Sequence, residues 1–277
     1  MKIFEQFKNK NINELTLPRL SKAIIRRIKD LPSWIAWSLP LEKTLRNREK
    51  LSKFKDIHKG ERCFIVANGP SLKKTDLSLL KDEITIGMNR IYLMKEVNGF
   101  QPDYLVVADM EVQLKQFPEE YDKVNLTRFY NWNLRSLFTE ADNLMFFKES
   151  FNPDFRPDFL GRIGTGKSVT FACIQLAFFM GFSEVILIGK DHHYNISGTP
   201  HISVSAKGDE ENHFIKGYYK KGMKWDIPNH IGEEYSYTKA RKGFEKAGRR
   251  ILDATIGGHL QVFEKADYHS LFEKAKK

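Results

Sequence analysis

Short apolar runs separated by polar turns and helical stretches are the feature that most constrains how this chain can fold. The runs show no alternation of apolar and polar side chains, which is typical of strands buried on both faces of a parallel sheet. Strands that alternate with helices favour right-handed crossovers, with helices covering both faces. We therefore predict an α/β, Rossmann-like fold with a mostly parallel sheet. The predicted strands are Cys63–Ala67, Ile84–Met88, Tyr104–Ala108, Glu184–Gly189 and, with a weaker pattern, Leu144–Phe147.

Positive charge is concentrated at the start of the chain. Residues 1–60 contain 15 Lys and Arg against 6 Asp and Glu, which leaves 30 against 29 for the remainder. A nucleic-acid enzyme would carry its basic residues on the folded domain that holds the site, so no nucleic-acid partner is expected. Two domains follow: a basic amphipathic helical segment, 1–58, and a Rossmann-like domain, 59–277.

The N-terminal segment has the spacing of an amphipathic helix. Leu20, Ile24, Ile28, Leu31 and Ile35 recur at three- and four-residue steps, with basic residues between them. Pro32 is expected to stop or kink this helix, and a second basic helix is expected between residues 41 and 54. Either the apolar face lies on an anionic bilayer, or it packs on its own domain or a second subunit, which makes a homo-oligomer possible.

The two cysteines indicate a reducing compartment. Cys63 and Cys173 sit in apolar runs without metal-ligand spacing, so both are expected to be buried thiols. We find no signal peptide and no apolar stretch long enough to span a membrane. The expected location is therefore cytoplasmic, peripheral to the inner membrane.

Polar residues follow the first three predicted strands. Asn68, Gly69 and Ser71 come after the first, and Asn89 and Asp109 come after the next two. Because ligands of parallel sheets bind beyond the carboxyl ends of the strands, these residues are expected to form a base-and-ribose pocket. Gly69 would let the backbone turn and approach the ligand, and Ser71 could cap a helix whose N-terminus favours phosphate.

A glycine-rich stretch precedes the strongly apolar helix predicted for 168–180. The residues Gly161 to Ser168 satisfy the P-loop pattern, but the preceding residues 152–160 contain two prolines and do not form the buried strand that a P-loop requires. We therefore predict a helix N-terminus in which Gly164, Thr165 and Gly166 present backbone N–H groups to a nucleotide.

Residues 192–236 break the strand–helix rhythm and are interpreted as a lid-like insertion. Adjacent histidines on an extended backbone point to opposite sides, so at most one of His192 and His193 should face inward, and no metal site is predicted. Asp191, His193 and Tyr194 are expected to contact phosphate or sugar. His213 is a candidate for removing a proton from an acceptor hydroxyl.

Four motifs then resemble a known group of proteins. In bacterial sialyltransferases that act on lipooligosaccharide, similar motifs occur in the same order. The flagellin-modifying motility accessory factors and the hydroxymethylpterin pyrophosphokinase-like proteins are also similar. The resemblance covers roughly Lys59 to Asp253. The motifs are Ala-Asn-Gly-Pro-Ser-Leu from Ala67, Met-Asn-Arg-Ile-Tyr-Leu from Met88, Arg-Ile-Gly-Thr-Gly from Arg162 and Ile-Gly-Lys-Asp from Ile188.

The resemblance implies roles for individual residues. Asn68, Asn89 and Thr165 would contact a cytidine nucleotide, His213 would be the catalytic base, and His193 or Tyr194 would bind phosphate. Asp109 departs from the pattern, since an Asn contacts the ribose in the sialyltransferases. Gly164-Thr165 also replaces their Thr-Ser pair.

These observations favour a metal-independent, inverting glycosyltransferase of bacterial surface-polysaccharide or glycoconjugate synthesis. Its partners would be a nucleotide-sugar donor, most simply a CMP-linked sialic-acid-like sugar, and a glycan or glycolipid acceptor, with no separate cofactor. One alternative is a Mg²⁺-dependent pyrophosphokinase of the hydroxymethylpterin type, in which Asp109 and Asp191 would lie near the phosphates. The other is a non-catalytic nucleotide-binding protein.

Overall fold

The structure is a computed structural model that describes residues 17–166, 168–193, 203–208 and 212–273. Within this part of the chain, eight strands form one sheet in which all pairings are parallel. The α/β, Rossmann-like prediction is therefore confirmed. The strands of this sheet are β1 Arg62–Val66, β2 Ile84–Met88, β3 Tyr104–Val107, β4 Thr127–Asn131, β5 Leu144–Phe147, β6 Glu184–Ile188, β9 Arg250–Asp253 and β10 Glu264–Lys265.

The strand order creates a crevice at the centre of the sheet. The order is β10-β9-β6-β1-β2-β3-β4-β5, so the chain builds outward from β1 in one direction and then returns to place β6 on its other side. The reversal between β1 and β6 is a topological switch point, where loops leave in opposite directions. The loops after Val66 and Ile188 flank this position.

Helices cover the sheet and contribute much of its core. The helix α5, Val169–Met180, is buried along nearly its whole length, as its uniformly apolar sequence predicts, and Ser168 caps its N-terminus. It packs against α6 and against the central strands. The helices are α1 Leu17–Ser38, α2 Glu42–Ser52, α3 Met94–Asn98, α4 Pro118–Asp122, α5 and α6 His230–Lys246.

The helix α1 continues through Pro32, so of the two expected effects, a stop or a kink, the stop does not occur. A proline removes one hydrogen bond, here to the carbonyl of Ile28 four residues earlier. Because Ile28 lies on the exposed side of the helix, water can satisfy that carbonyl and the helix persists.

The helix α2 is tied to the edge of the sheet. The Asn47 side chain donates to the carbonyl oxygen of Phe146 at 2.8 Å and accepts from its N–H at 2.7 Å, satisfying the outer edge of β5. Thr44 and Leu51 on the same helix are buried. The second half of the 1–58 segment therefore packs on the sheet.

Three elements differ from the sequence prediction. The strand β4 was not predicted, because Arg128 interrupts its apolar run; the guanidinium is buried and donates to the Val124 carbonyl. The helix α6 starts at His230, inside the stretch 192–236 that was interpreted as an insertion. The insertion contains a short hairpin, β7 Ser203–Ser205 with β8 Lys224–Asp226.

Candidate functional site

A cavity of about 320 Å³ lies at the switch point, beyond the carboxyl ends of β1, β2 and β6. Its wall brings together Asn68, Asn89, Asp109, Asp191 and His213, which the sequence analysis had selected from distant parts of the chain. Gly69 and His193 also line it.

Two residues of the cavity wall carry buried amide oxygens for which the described residues provide no hydrogen-bond partner. The Asn68 amide nitrogen donates to the Met88 carbonyl at 3.0 Å, which fixes the side chain between β1 and β2. The Oδ1 atoms of Asn68 and Asn89 are buried and accept no hydrogen bond from any described residue. Since buried polar atoms are normally satisfied, these oxygens are positioned to accept hydrogen bonds from a ligand.

Asn89 also has an unusual backbone. Its φ of 49° lies in the left-handed region, which Asn tolerates better than most residues. The strand β2 therefore ends in a strained residue whose side chain lines the cavity, as residues at functional sites often do.

The loop after β1 is fastened to the loop after β6. Asp191 accepts from the Ser71 backbone N–H at 3.1 Å and from its hydroxyl at 2.7 Å. Gly69 has an ordinary φ of −73°, so the turn itself does not require glycine. A Cβ there would lie 1.8 Å from Asp191 Oδ2 and 2.5 Å from the Gly189 carbonyl oxygen, so glycine permits this loop-to-loop contact. Ser71 is absent from the cavity wall and acts through Asp191.

Asp109 lines the cavity and also accepts a hydrogen bond from a residue close to it in sequence. Its Oδ1 accepts from the Val112 N–H at 2.8 Å, so the carboxylate caps the turn that follows β3.

The glycine-rich stretch before α5 does not line the cavity, although it was predicted to contact the nucleotide. Gly164, Thr165 and Gly166 are not part of the cavity wall. Gln175 Oε1 accepts from the Gly164 N–H at 2.9 Å, and a Cβ on Gly166 would collide with Phe171. The Thr165 N–H donates to the Asn152 carbonyl. The N-terminal residues of α5 that do line the cavity are Ser168, Val169 and Thr170.

The insertion closes over the cavity through aromatic residues. The Phe214 N–H donates to the Asn68 carbonyl at 3.0 Å, and the His213 ring stacks on Tyr218 with centroids 3.9 Å apart. Tyr218 is held in turn by Arg90, whose guanidinium donates to the Tyr218 carbonyl and forms an ion pair with Glu120 at 2.7 Å. His213 is thus presented to the cavity by an anchored part of the insertion.

Both adjacent histidines line the cavity, so the expectation that only one would face inward is wrong. It assumed an extended backbone, whereas His192 has a φ of 56°. The His193 ring lies 5.2 Å from that of His259. Tyr194 lies outside the described residues.

A buried ionic cluster forms the floor of the cavity. The Lys190 ammonium lies 3.0 Å from Glu233 Oε2, and both side chains are almost fully buried. Burial raises the pKa of Glu233, but the charge of Lys190 and the proximity of His192, whose Nδ1 lies 3.4 Å from Glu233 Oε2, outweigh it and lower the pKa to about 2. Burial, assisted by the charge of His192, lowers the pKa of His230 below its usual 6.5. The cluster was missed because the paired residues Lys190 and Glu233 are 43 positions apart in sequence.

His192, His230 and Glu233 could hold a metal ion, since each offers a ligand atom within 4.8 Å of the others. His192 Nε2 lies 3.0 Å from Glu234, and a carboxylate in that position orients a metal-binding imidazole. Two imidazoles and a carboxylate suit zinc or manganese better than magnesium. Any such ion would share Glu233 with the Lys190 ammonium.

The parallel sheet with a polar crevice at its switch point defines a protein of the Rossmann-like α/β class. A family model described as "6-hydroxymethylpterin diphosphokinase MptE-like" matches residues 41–197, more than half of the chain. The chain belongs to this MptE-like family, which confirms the resemblance to the pyrophosphokinase-like proteins. The match starts at residue 41, earlier than the expected boundary at Lys59, and so includes α2.

Among solved structures, the chain is similar to a MAf glycosyltransferase from Magnetospirillum magneticum AMB-1. The sequence identity is 14% and the TM-score is 0.49. The match covers 81% of this chain and 38% of that protein. No curated protein matches the sequence.

Proposed function

We propose that this protein transfers a sugar from a nucleotide-activated donor, most simply a CMP-linked sialic-acid-like sugar, to the hydroxyl group of a glycan or glycolipid. The observation that carries the proposal is the pair of buried amide oxygens, Asn68 Oδ1 and Asn89 Oδ1, beside the switch point. A nucleotide offers matching donors, namely the amino group of its base and the hydroxyls of its ribose. Without a ligand, each of these buried oxygens would lack a hydrogen bond, which costs about 1–3 kcal/mol per oxygen.

The neighbouring wall supplies groups that suit a phosphate. The first turn of α5, a helix of twelve residues, faces the cavity with Ser168 and Thr170. Helix N-termini favour anions because their backbone N–H groups and dipole point at the ligand. Together these groups would stabilise the phosphate as it departs.

His213 would act as the general base. In the proposed step the acceptor oxygen attacks the anomeric carbon, forming the new glycosidic bond while the bond from that carbon to the phosphate oxygen breaks. The electron pair leaves with the nucleotide monophosphate, and the acceptor proton passes to His213. Stacking on Tyr218 holds the ring in one orientation, which such a proton transfer requires.

The second candidate is magnesium-dependent diphosphate transfer, which the description of the MptE-like family favours. This chemistry needs carboxylates that bind Mg²⁺ beside the phosphates. Asp191 is bonded through both oxygens to Ser71, Asp109 caps the turn after β3, and Glu233 is paired with Lys190. Because these carboxylates already have protein partners, sugar transfer is our first choice.

The test is a transfer assay with a CMP-activated sialic acid, following release of CMP in the presence of EDTA. Replacement of His213 by alanine should lower kcat by about 10²–10⁴-fold, while the affinity for CMP stays within about twofold. His269→Ala is the control, because His269 is exposed, begins the short helical turn His269–Phe272 and is not part of the cavity wall. Release of AMP from ATP only when Mg²⁺ and a pterin alcohol are present would replace this function with the second candidate.

A further inference from the structure

The apolar stripe of α1 points away from the protein. Ile24, Ile28, Leu31 and Ile35 are spaced by four, three and four residues, so they share one side of the helix. Their exposed fractions are 47%, 63%, 48% and 42%. Ile25, Trp34 and Leu39 beside them are also exposed. A surface helix normally buries such a stripe against its own domain.

The opposite side of α1 holds the helix to the domain. Trp37 is buried, donates through Nε1 to the Gly161 carbonyl at 2.8 Å, and packs edge-on against Trp132 at 5.1 Å. The Ser33 hydroxyl donates to Asn133 Oδ1 at 2.6 Å. Residues two apart on a helix, such as Ser33 and Ile35, lie on nearly opposite sides, about 200° apart. The orientation is therefore fixed by specific contacts, with the apolar stripe outward.

The one acidic residue of α1 is also turned inward. Asp30 accepts from Asn133 Nδ2 at 2.7 Å and forms an ion pair with Lys148, whose ammonium is almost fully buried. The exposed part of the helix thus presents cations without anions, because Arg26, Arg27 and Lys29 are all exposed. Arg26 and Arg27 lie over the ring of Phe151, at 5.0 and 5.6 Å.

The charges on α1 distinguish between two partners that could cover its apolar stripe, a second copy of the chain and an anionic membrane. A second copy of the chain would bring the same cations against themselves and would pay for like-charge repulsion. An anionic lipid surface attracts them, and Trp34 has the side chain that prefers the boundary between headgroups and acyl chains. None of the described helices combines the length and apolarity needed to cross a bilayer.

We infer that α1 lies in the plane of an anionic membrane, with Ile24, Ile28, Leu31 and Ile35 inserted at the boundary between headgroups and acyl chains. Arg27 and Lys29 contact the phosphates of the lipid. The contacts of Ser33 and Trp37 hold the α/β domain on the other side of the helix. Membrane attachment in this form does not depend on which reaction the cavity supports.

The test is co-sedimentation of the full chain with vesicles. Wild-type protein should bind vesicles of phosphatidylcholine mixed with phosphatidylglycerol and bind phosphatidylcholine alone far more weakly. The triple variant Ile24→Glu/Ile28→Glu/Ile35→Glu should lose more than about a hundredfold in affinity, since it places carboxylates where apolar side chains would insert. Val97→Glu is the matched control, because Val97 is 52% exposed on α3, away from the stripe.

A second variant separates the charges from the apolar stripe. Arg27→Gln/Lys29→Gln should weaken binding to the anionic vesicles by about fivefold per cation, and should leave the weak binding to neutral vesicles unchanged. High salt should remove the same part of the affinity. Both sets of substitutions are at exposed positions, so circular dichroism and Tm should match the wild type.

Two results would overturn the inference. One is equal binding of wild type and the triple variant to anionic vesicles. The other is a lipid-free wild-type dimer in analytical ultracentrifugation that becomes monomeric in the triple variant, with no vesicle binding, because the stripe would then be a subunit interface.

Discussion

At the scale of single residues, the site is defined by buried polar atoms for which the described residues provide no hydrogen-bond partner. Asn68 is fixed through its amide nitrogen, so its oxygen cannot turn toward another group without losing the bond to Met88. Asn89 is held by an unusual backbone angle. Preorganised acceptors of this kind favour binding, because little conformational freedom is lost when the ligand arrives.

Replacement of Asn68 by alanine should weaken nucleotide binding about tenfold, the value of one hydrogen bond that the ligand can no longer make. Isothermal titration calorimetry with CMP would measure this change. Asn125→Ala is the control, since Asn125 is exposed and far from the cavity wall. Equal affinity in Asn68→Ala and wild type would show that this oxygen does not contact the nucleotide.

A second prediction concerns the buried pair beneath the cavity. Glu233→Gln removes the carboxylate that neutralises Lys190 and should destabilise the protein by about 3 kcal/mol, because the charge of a buried cation is then no longer compensated by this carboxylate. The melting temperature should fall by about 5–10 °C. Glu245→Gln, on the exposed face of α6, should leave it nearly unchanged.

The same pair predicts a dependence on pH. The pKa of Glu233 is about 2 in the folded protein and 4.5 as its ordinary value, so the unfolded state binds the proton first as the pH falls. The contribution of Glu233 to the free energy of unfolding is therefore fully present above pH 4.5 and decreases as the pH falls toward 2. A plot of unfolding free energy against pH should be shallower for Glu233→Gln over this interval, and parallel curves would contradict the assigned pair.

At the scale of elements, α2 protects the edge of the sheet. An edge strand presents unpaired N–H and carbonyl groups that invite association with other strands. Asn47 satisfies both groups of Phe146 from a helix instead of a strand. The family match begins at residue 41, one residue before this helix, so the described family unit includes the edge cover.

Asn47→Ala should therefore cost about 2–3 kcal/mol in urea unfolding, since a buried N–H and carbonyl of Phe146 lose their partner. The variant should also aggregate more readily when partly unfolded. Glu49→Ala on the exposed side of the same helix controls for helix propensity. Wild-type stability in Asn47→Ala would mean that water satisfies the edge equally well.

A comparison of the predicted and observed elements shows which parts of the fold could be predicted from the sequence. The buried strands were found because an unbroken apolar run has few other uses in an α/β protein. The strand β4 was missed because Arg128 is buried only through its bonds to carbonyls that the sequence does not mark. Asn68 and Asn89 were placed in the pocket because strand ends meet at one edge. Gly164 was also predicted to contact the nucleotide, but it is not part of the cavity wall, because its N–H donates to Gln175 of α5.

At the scale of the whole molecule, the cavity and the outward stripe of α1 lie on a single α/β domain. The sheet positions the cavity at its centre, the insertion supplies His213, and α1 provides the surface that we assign to the membrane. This combination suits an enzyme that takes a water-soluble donor and an acceptor held at a lipid surface. The charge asymmetry of the sequence had suggested α1 as a membrane-binding segment. Only the contacts of Ser33 and Trp37 decide which side of α1 is exposed.

The most direct test of the nucleotide assignment is a thermal-shift measurement on the full chain with CMP, UDP, GDP and ATP, each with and without Mg²⁺. A nucleotide at about 100 times its Kd stabilises the folded state by about 2.7 kcal/mol, which is several degrees in Tm for a chain of this size. We expect CMP to raise Tm equally with and without Mg²⁺, and Asn68→Ala to reduce the shift. A shift with ATP and Mg²⁺ alone would contradict this assignment.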